Sequence, residues 1–466
     1  MVSQHGNESS NTRRIVWGCL GFLVAAFVLT AVGGAIWYAA ETARARRELA
    51  AEVKHLRDRG APLTSIELNS HYLHAFRDPA IAQELLAALL LADDPDLKLL
   101  SQSLPIVGTG GDPPPLAQPW PQQQEVEQYL AKHQRLLAAL EALGKNPGPI
   151  HFSRDLRMGI HALLPEVQRS RHAARLLTLQ FHVDLRRQRT DLAISRIEQQ
   201  IAFAESMREE PVMVSQLVHL ALFQIAIRNI EFLLQNVQVF DGELARLQAA
   251  LRRVDLQKGL KRGIEGETAI AYTTSTWPLA MLGDDSAPAS LGPEEVERLA
   301  KVPPSRPGDV AMMLRLFRRV STASDESLAS VAAECEQVDA EIKALAGSPT
   351  KVFYMQTLLM FPALRAYTNA FQRSETYRQS ADAGLAALRY RQANQKWPDN
   401  LQQLVPTFLP QVPVDPYNGK ELLIQVTPTE FKVYSVGQNL VDDGGAWTDK
   451  DFADVGFVAP WPKEAP

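Results

Sequence analysis

From Ile15 to Ala40 the chain carries no charged residue. In helical form this run crosses a hydrocarbon core of about 30 Å, which takes roughly 20 residues. Trp17 near one end and Trp37 and Tyr38 near the other place amphipathic rings where lipid headgroups would lie. The pattern predicts a polar tail over 1–14 and a retained transmembrane helix over 15–40. A cleaved signal peptide would have a shorter apolar region, and AVGGA matches a small-residue cleavage site only loosely.

Beyond the anchor, apolar residues recur at helical steps through a body predicted over 41–282. Leu192, Ile194, Ile197, Ile201 and Ala204 form one such face, and Val214, Val218, Leu222, Ile225 and Phe232 the next. Near 104–121 the segment PIVGTGGDPPPLAQPWPQ removes backbone donors and predicts a loop. Asp241, before GELARLQAAL, is placed to cap a helix. RQRTD, REEP and VFDG separate successive helices without a fixed period, which predicts an irregular helical bundle or solenoid. GDDSAPASLGPEE and KVPPSRPGD predict a linker or exposed loop over 283–308, after which helices resume over 309–395. The last of them sets Tyr377, Ala381, Leu385 and Leu388 on one face, as needed to dock on a small sheet.

The period then changes. Trp397 and Pro398 stop the long helix, and Leu401 and Leu404 give a short one its buried side. Asp415 can accept from turn amides, Pro416 stiffens the reversal, and Asn418 and Gly419 tolerate positive φ. Leu422, Ile424 and Val426 alternate on one strand and Phe431, Val433 and Ser435 on the next, with TPTE between. The fold class is therefore mainly α, with a transmembrane helix and a small α+β C-terminal module, 396–466, built on a β-hairpin.

This order, in LRYRQANQKWPDNLQQLVPTFLPQVPVDPYNGKELLIQV and FKVYSVGQNLVDDGG, resembles the C-terminal half of a type II secretion major pseudopilin. It also resembles a module that ends many membrane-anchored bacterial proteins of unassigned function. The resemblance covers roughly the final 70–80 residues. It implies that Trp397, Pro398, Asp415, Pro416, Gly419, Tyr434 and Gly437 serve the module's fold, that a C-terminal loop holds calcium, and that the body lies outside the cytoplasm. The N-terminal end departs from the family. A cut between Gly21 and Phe22 would fall inside the apolar run and put Ala26 at the fifth mature position, where a pseudopilin has glutamate. Gln395 and Lys396 stand where the family signature usually has a glycine.

Composition narrows the chemistry. The 466 residues are 46% apolar, enough for two or three domains with a substantial core. With 48 basic and 53 acidic residues, a net charge of −5 lacks the basic field of a nucleic-acid binder. Cys19 and Cys335 make no disulfide framework. Asp442 and Asp443, followed by two glycines and then by Asp449, Asp451 and Asp454, form an oxygen-rich loop of the kind calcium favours, without EF-hand spacing. His161, Glu166 and His172 fall near one helical face with His182 further on, and His71 and His74 lie one turn apart. No HExxH, paired CxxC, GxSxG or GxxxxGK[ST] accompanies them, so no zinc site, phosphate cradle or catalytic residue is nominated.

Arg13 and Arg14 precede the apolar run, whereas Arg44, Arg46, Arg47, Lys54, Arg57 and Arg59 follow it. Counting positive residues places the body in the cytoplasm. The pseudopilin resemblance places it outside, and that orientation is adopted. The expectation is a single-pass protein of the bacterial inner (cytoplasmic) membrane, acting as a binding or scaffold protein among envelope protein partners in a secretion-related assembly. The alternative is an envelope-associated enzyme, such as a hydrolase, with its site in the helical body. A pocket with convergent polar groups would favour the enzyme, and an exposed apolar strip the scaffold.

Overall fold

The uncharged run does not end in a turn. It lies within one continuous helix, α1 (Glu8–Asp58), because ETARARRELAAEVKHLRD supplies strong helix formers beyond Ala40. The structure is a computed structural model that describes residues 8–74, 80–92, 94–152, 154–162, 164–276, 307–447 and 453–461. Most of the 283–308 stretch thus lies outside the described residues. The apolar half of α1 is long and apolar enough to cross a membrane and leaves Phe27, Leu29 and Ile36 exposed.

The body follows as α2 (Ser65–His74), α3 (Ala80–Leu91), α4 (Pro95–Ser101), α5 (Gln123–Lys132), α6 (Gln134–Lys145), α7 (Glu166–Arg186), α8 (Thr190–Glu205), α9 (Met213–Asn236), α10 (Asp241–Arg252) and α11 (Leu256–Thr276). Then come α12 (Pro307–Ala323), α13 (Leu328–Gly347) and α14 (Met355–Asn394), with 3-10 segments at Leu156–His161, Pro349–Phe353 and Leu401–Leu404. Helices α7, α8 and α9 pack on one another, while α9 through α13 pack along α14. At 1.5 Å per residue α14 is about 60 Å long, long enough to run from the body into the terminal module. Helix α9 is as apolar as a membrane span, yet most of it is buried as a core helix.

The expected faces are buried in part: Ile194, Ile197, Ile201 and Ala204 are buried on α8 and Val218 and Leu222 on α9, whereas Leu192 and Val214 are exposed and Ile225 and Phe232 half-buried. The 104–121 loop is an ordered connection: Leu104 and Trp120 are buried, and Arg186 donates to the Gln118 carbonyl at 2.8 Å while lying over the Trp120 ring. Asp241 does not cap α10. Phe240 takes the cap position, its N–H donates to Glu243 at 2.9 Å, and the Asp241 carboxylate instead meets Arg389 of α14 at 2.7 Å. The capping acceptor is supplied from the third helical residue, which frees Asp241 for a tertiary ion pair.

The terminal module holds three antiparallel strands, β1 (Leu423–Val426), β2 (Glu430–Ser435) and β3 (Val455–Pro460), in the order β1-β2-β3. The expected hairpin is β1–β2. Strand β3 went unread because VGFVAP follows an acidic loop and carries a glycine and a proline, both poor strand signals. Its Phe457 pairs with Val433 and sits on α14 at Gly384, where a side chain's Cβ would come within 2.7 Å of the phenyl ring. Burying Phe457 there stabilises the docking by about 2–3 kcal/mol. Helix α14 ends at Gln395, which adopts a left-handed conformation (φ 59°) that glycine usually fills.

Candidate functional site

Four segments and one side chain surround an open groove of about 680 Å³ between the helical body and the terminal module. Its walls are the α10–α11 junction (Arg252 to Gln257), the start of α13 (Ser327 to Ala329), α14 at Glu375, Arg378 and Gln379, and the turn from Val414 to Gly419, with Arg208 reaching in. Local chemistry shapes each wall. Asp255 accepts from the Lys258 amide at 3.0 Å, and Ser327 accepts from the Ser330 amide at 3.0 Å, so two capped helix N-termini open on the groove. Across from them Asp415 holds its turn by accepting from Tyr417 N (2.8 Å), Val436 N (3.2 Å) and Ser435 Oγ (2.8 Å). Burial raises the Asp415 carboxyl's pKa, and these donors oppose the rise.

Four arginines face three acids in this lining. Arg378 forks onto Glu375, with Nε 2.7 Å from its carboxylate. Arg252 meets Asp382 at 2.8 Å and the Phe408 carbonyl at 2.7 Å. Arg208 meets Glu205 at 3.0 Å. Arg253 is exposed and has no ion-pair partner among the described residues. The lining contains no histidine or cysteine, and its one hydroxyl, Ser327, faces Ser330. It can bind an anion, but among its described residues it holds no nucleophile beside a base.

No protein-family model, curated protein or solved structure matches this chain.

A second polar cluster is sealed in the body. Arg154, with a fully buried side chain, pairs with Glu166 at the start of α7 and with Glu210 at 2.5 Å, and donates to Ser215 Oγ at 3.0 Å. The Tyr72 hydroxyl donates to Glu210 and accepts from Phe152 N at 3.1 Å. Burial pushes the Glu210 carboxyl up to about 7; Glu166 adds to the rise, and Arg154 and Tyr72 oppose it. The cluster ties α2, the 152–154 segment, α7 and the α8–α9 connection together. No spacing in the sequence announces it, because its members come from four distant segments.

The histidine set does not assemble. His161 ends a 3-10 segment, and Ala162 is extended before Pro165 takes the cap position of α7, so His161 shares no helical face with Glu166 and His172. Glu166 is spent on Arg154. The His172 ring contacts Tyr129 and His133, and burial, with His172 adding, pushes His133 down to about 4. His182 packs on Phe232 and Phe181 and is also pushed down to about 4, chiefly by burial. His71 is exposed on α2, and the His74 side chain lies outside the described residues. Among the described residues no three histidine, cysteine, aspartate or glutamate side chains converge as a metal set.

In the terminal module Trp397 packs against Phe431 and Trp461, and Arg391 lies over both indoles at 4.5 and 4.3 Å. Pro398 is buried beside it, and the Pro416 carbonyl accepts from Gln372 at 3.4 Å. Gly419 and Gly437 both have positive φ. The Tyr434 hydroxyl donates to Asp442 at 3.2 Å and is pushed up to about 12 by burial, with Asp442 adding. In the acidic loop Asp442 also accepts from Gly444 N, and Asp443 accepts from the Asn439 amide. Asp454 is fully buried: one oxygen accepts from Gly445 N at 2.7 Å, and the Asp443 backbone N–H also favours its charged form. Asp449 and Asp451 lie outside the described residues.

Proposed function

We propose that this protein is a single-pass binding or scaffold protein of the bacterial inner membrane, whose groove receives a partner from an envelope or secretion-related assembly. The observation that carries this is the open groove with Arg253 uncommitted on its wall and two helix N-termini facing in. A partner segment that presents a carboxylate or phosphate would meet fixed positive charge there. The helical body is an irregular bundle or solenoid that carries a pseudopilin-like module, and the body lies outside the cytoplasm. The convergent polar lining of this groove is the feature that favours the hydrolase alternative; among the described lining residues no nucleophile stands beside a base.

Photo-crosslinking in intact cells tests the proposal, with the crosslinking residue placed at Val414 on the groove rim. An adduct to an envelope protein that is lost in Arg253→Glu supports the groove. Adducts identical with and without Arg253→Glu would remove it as the binding site.

Calcium at Asp442 and Asp443 is a separate proposal, in keeping with the resemblance. It is supported by Asp454, a buried carboxylate beside those two negative charges. Burial, together with Asp443 and Asp442, raises the Asp454 pKa, and a hard cation would relieve both causes.

A further inference from the structure

Helix α12 runs alongside the second half of α1 in the same direction. Gly308 lies beside Ala45, Arg318 pairs with Glu52 at 2.7 Å, and Arg59 pairs with Asp325 at 2.6 Å. The start of α12 is therefore the end nearest the apolar run. Helix α13 returns towards that end, since Leu328 accepts from Gln372 of α14 and Cys335 lies beside Thr368. The 3-10 segment Pro349–Phe353 and the first turn of α14 are thus brought back to the level where α12 begins. Asp309 locks them there, its carboxylate accepting from the Gln356 and Thr357 amides at 2.9 Å each.

Ala45 lies about 8 Å along the helix from Ala40, a distance comparable to the headgroup layer of a bilayer. At this level the body turns apolar side chains outward: Val352 is 58% exposed, Met355 54% and Leu359 76%. Exposed Lys351 stands among them, with Lys343 of α13 and Arg44 of α1 ion-paired to Asp339 and Glu48. Apolar residues edged by cations at the exit point of a spanning helix match the composition of an interfacial membrane contact.

We propose that the Pro349–Phe353 segment and the first turn of α14 form a foot that rests in the headgroup layer of the bilayer spanned by α1. Val352 is the deepest member, followed by Met355, with Leu359 at the rim. This rests on the membrane-anchor reading of α1. The foot gives the body a second point of attachment, and Lys351 favours anionic headgroups beside it.

The test uses the full chain in vesicles of phosphatidylcholine and phosphatidylglycerol, with Cys19→Ser and a nitroxide on one introduced cysteine. Positions are Val352→Cys, Met355→Cys, Ile36→Cys in the apolar run, and Val414→Cys on the groove rim. Collision with oxygen relative to a water-soluble nickel chelate reports depth. The expected ratio is about threefold or more higher at 352 and 355 than at 414, decreasing from 352 to 355. Ratios at 352 and 355 equal to that at 414, with oxygen still favoured at 36, would overturn the foot and leave the anchor intact. Nickel favoured at 36 would overturn the anchor and the foot together. Spin–spin broadening at 352, with both reagents excluded, would show a second copy of the chain on this surface and overturn the lipid contact.

Discussion

Glu210→Gln tests the sealed cluster directly. Arg154 faces two carboxylates, Glu166 and Glu210, so with both ionised the cluster carries an excess negative charge out of water. Glu210 meets this by holding its proton up to about 7, against an ordinary 4.5. Between these values the folded form keeps a proton that the unfolded chain has lost. Stability from this group is therefore full below pH 4.5 and falls as pH rises towards about 7, by about 3 kcal/mol in all. Glutamine removes the charge and can satisfy every neighbour. Its oxygen can face Arg154 and its amide can donate to Tyr72, whose own proton then goes to the Phe152 carbonyl, 3.2 Å away. Arg154 and Glu166 remain as a matched pair. Urea unfolding of the detergent-solubilised chain, followed by tryptophan fluorescence from pH 4.5 to 8.5, should show a flatter pH profile for Glu210→Gln and equal or greater stability at pH 8. Arg154→Met leaves two buried carboxylates opposed and should cost about 3–5 kcal/mol. If Glu210→Gln were as damaging as Arg154→Met at pH 8, with the slope unchanged, Glu210 would be an ionised partner and the reasoning would fail.

Three further outcomes are expected. Gly266→Ala, ordinarily a gain of about 1 kcal/mol in a helix, should here lose about 2 kcal/mol or more in a thermal scan, because the new methyl group would fall on the Pro211 carbonyl oxygen. Gln395→Gly should raise stability by about 0.5 kcal/mol by relieving a left-handed non-glycine residue, and Gln395→Val should lower it by more than about 1 kcal/mol; denaturant midpoints decide both. Millimolar calcium should raise the melting temperature of the full chain, and Asp454→Asn should abolish the rise; no calorimetric heat in the parent protein would leave the acidic loop as a turn.

Periodicity carried the helical body well, because a residue such as Ile197 is buried by the face it shares with Ile194 and Ile201, all within three turns of one helix. Turn chemistry was local in part: Asp415 accepts from Tyr417 N and its carbonyl from Gly419 N, while Ser435 and Val436 of the hairpin complete its shell from further along the chain. What could not be read was assembled from afar. Arg154 meets partners from α2, α7 and the α8–α9 connection, and the groove draws on segments from Arg208 to Gly419. Neither leaves a spacing in the chain. The cap at Asp241 failed for a related reason, since a distant arginine claimed the carboxylate and Glu243 supplied the acceptor. Strand β3 is visible only through its partner, because Gly456 packs so closely against Val433 and Tyr434 that a poor strand former is the residue that fits.

The parallel pairing of α1 with α12 has a mechanical consequence. Arg318 with Glu52, and Arg59 with Asp325, splice the anchor to the body over the stretch from Ala45 to Arg59, which spans about 21 Å of helix. No swivel interrupts α1 between its apolar half and this splice. With α1 in a bilayer, a change in its tilt rotates the body as a lever. A 10° change forced by a thinner or thicker membrane would swing the Arg59 end by about 5 Å relative to Ala40. The groove stands towards that end, where Ser327 follows α12, so with α1 in a bilayer the membrane's thickness would set the direction in which the groove opens.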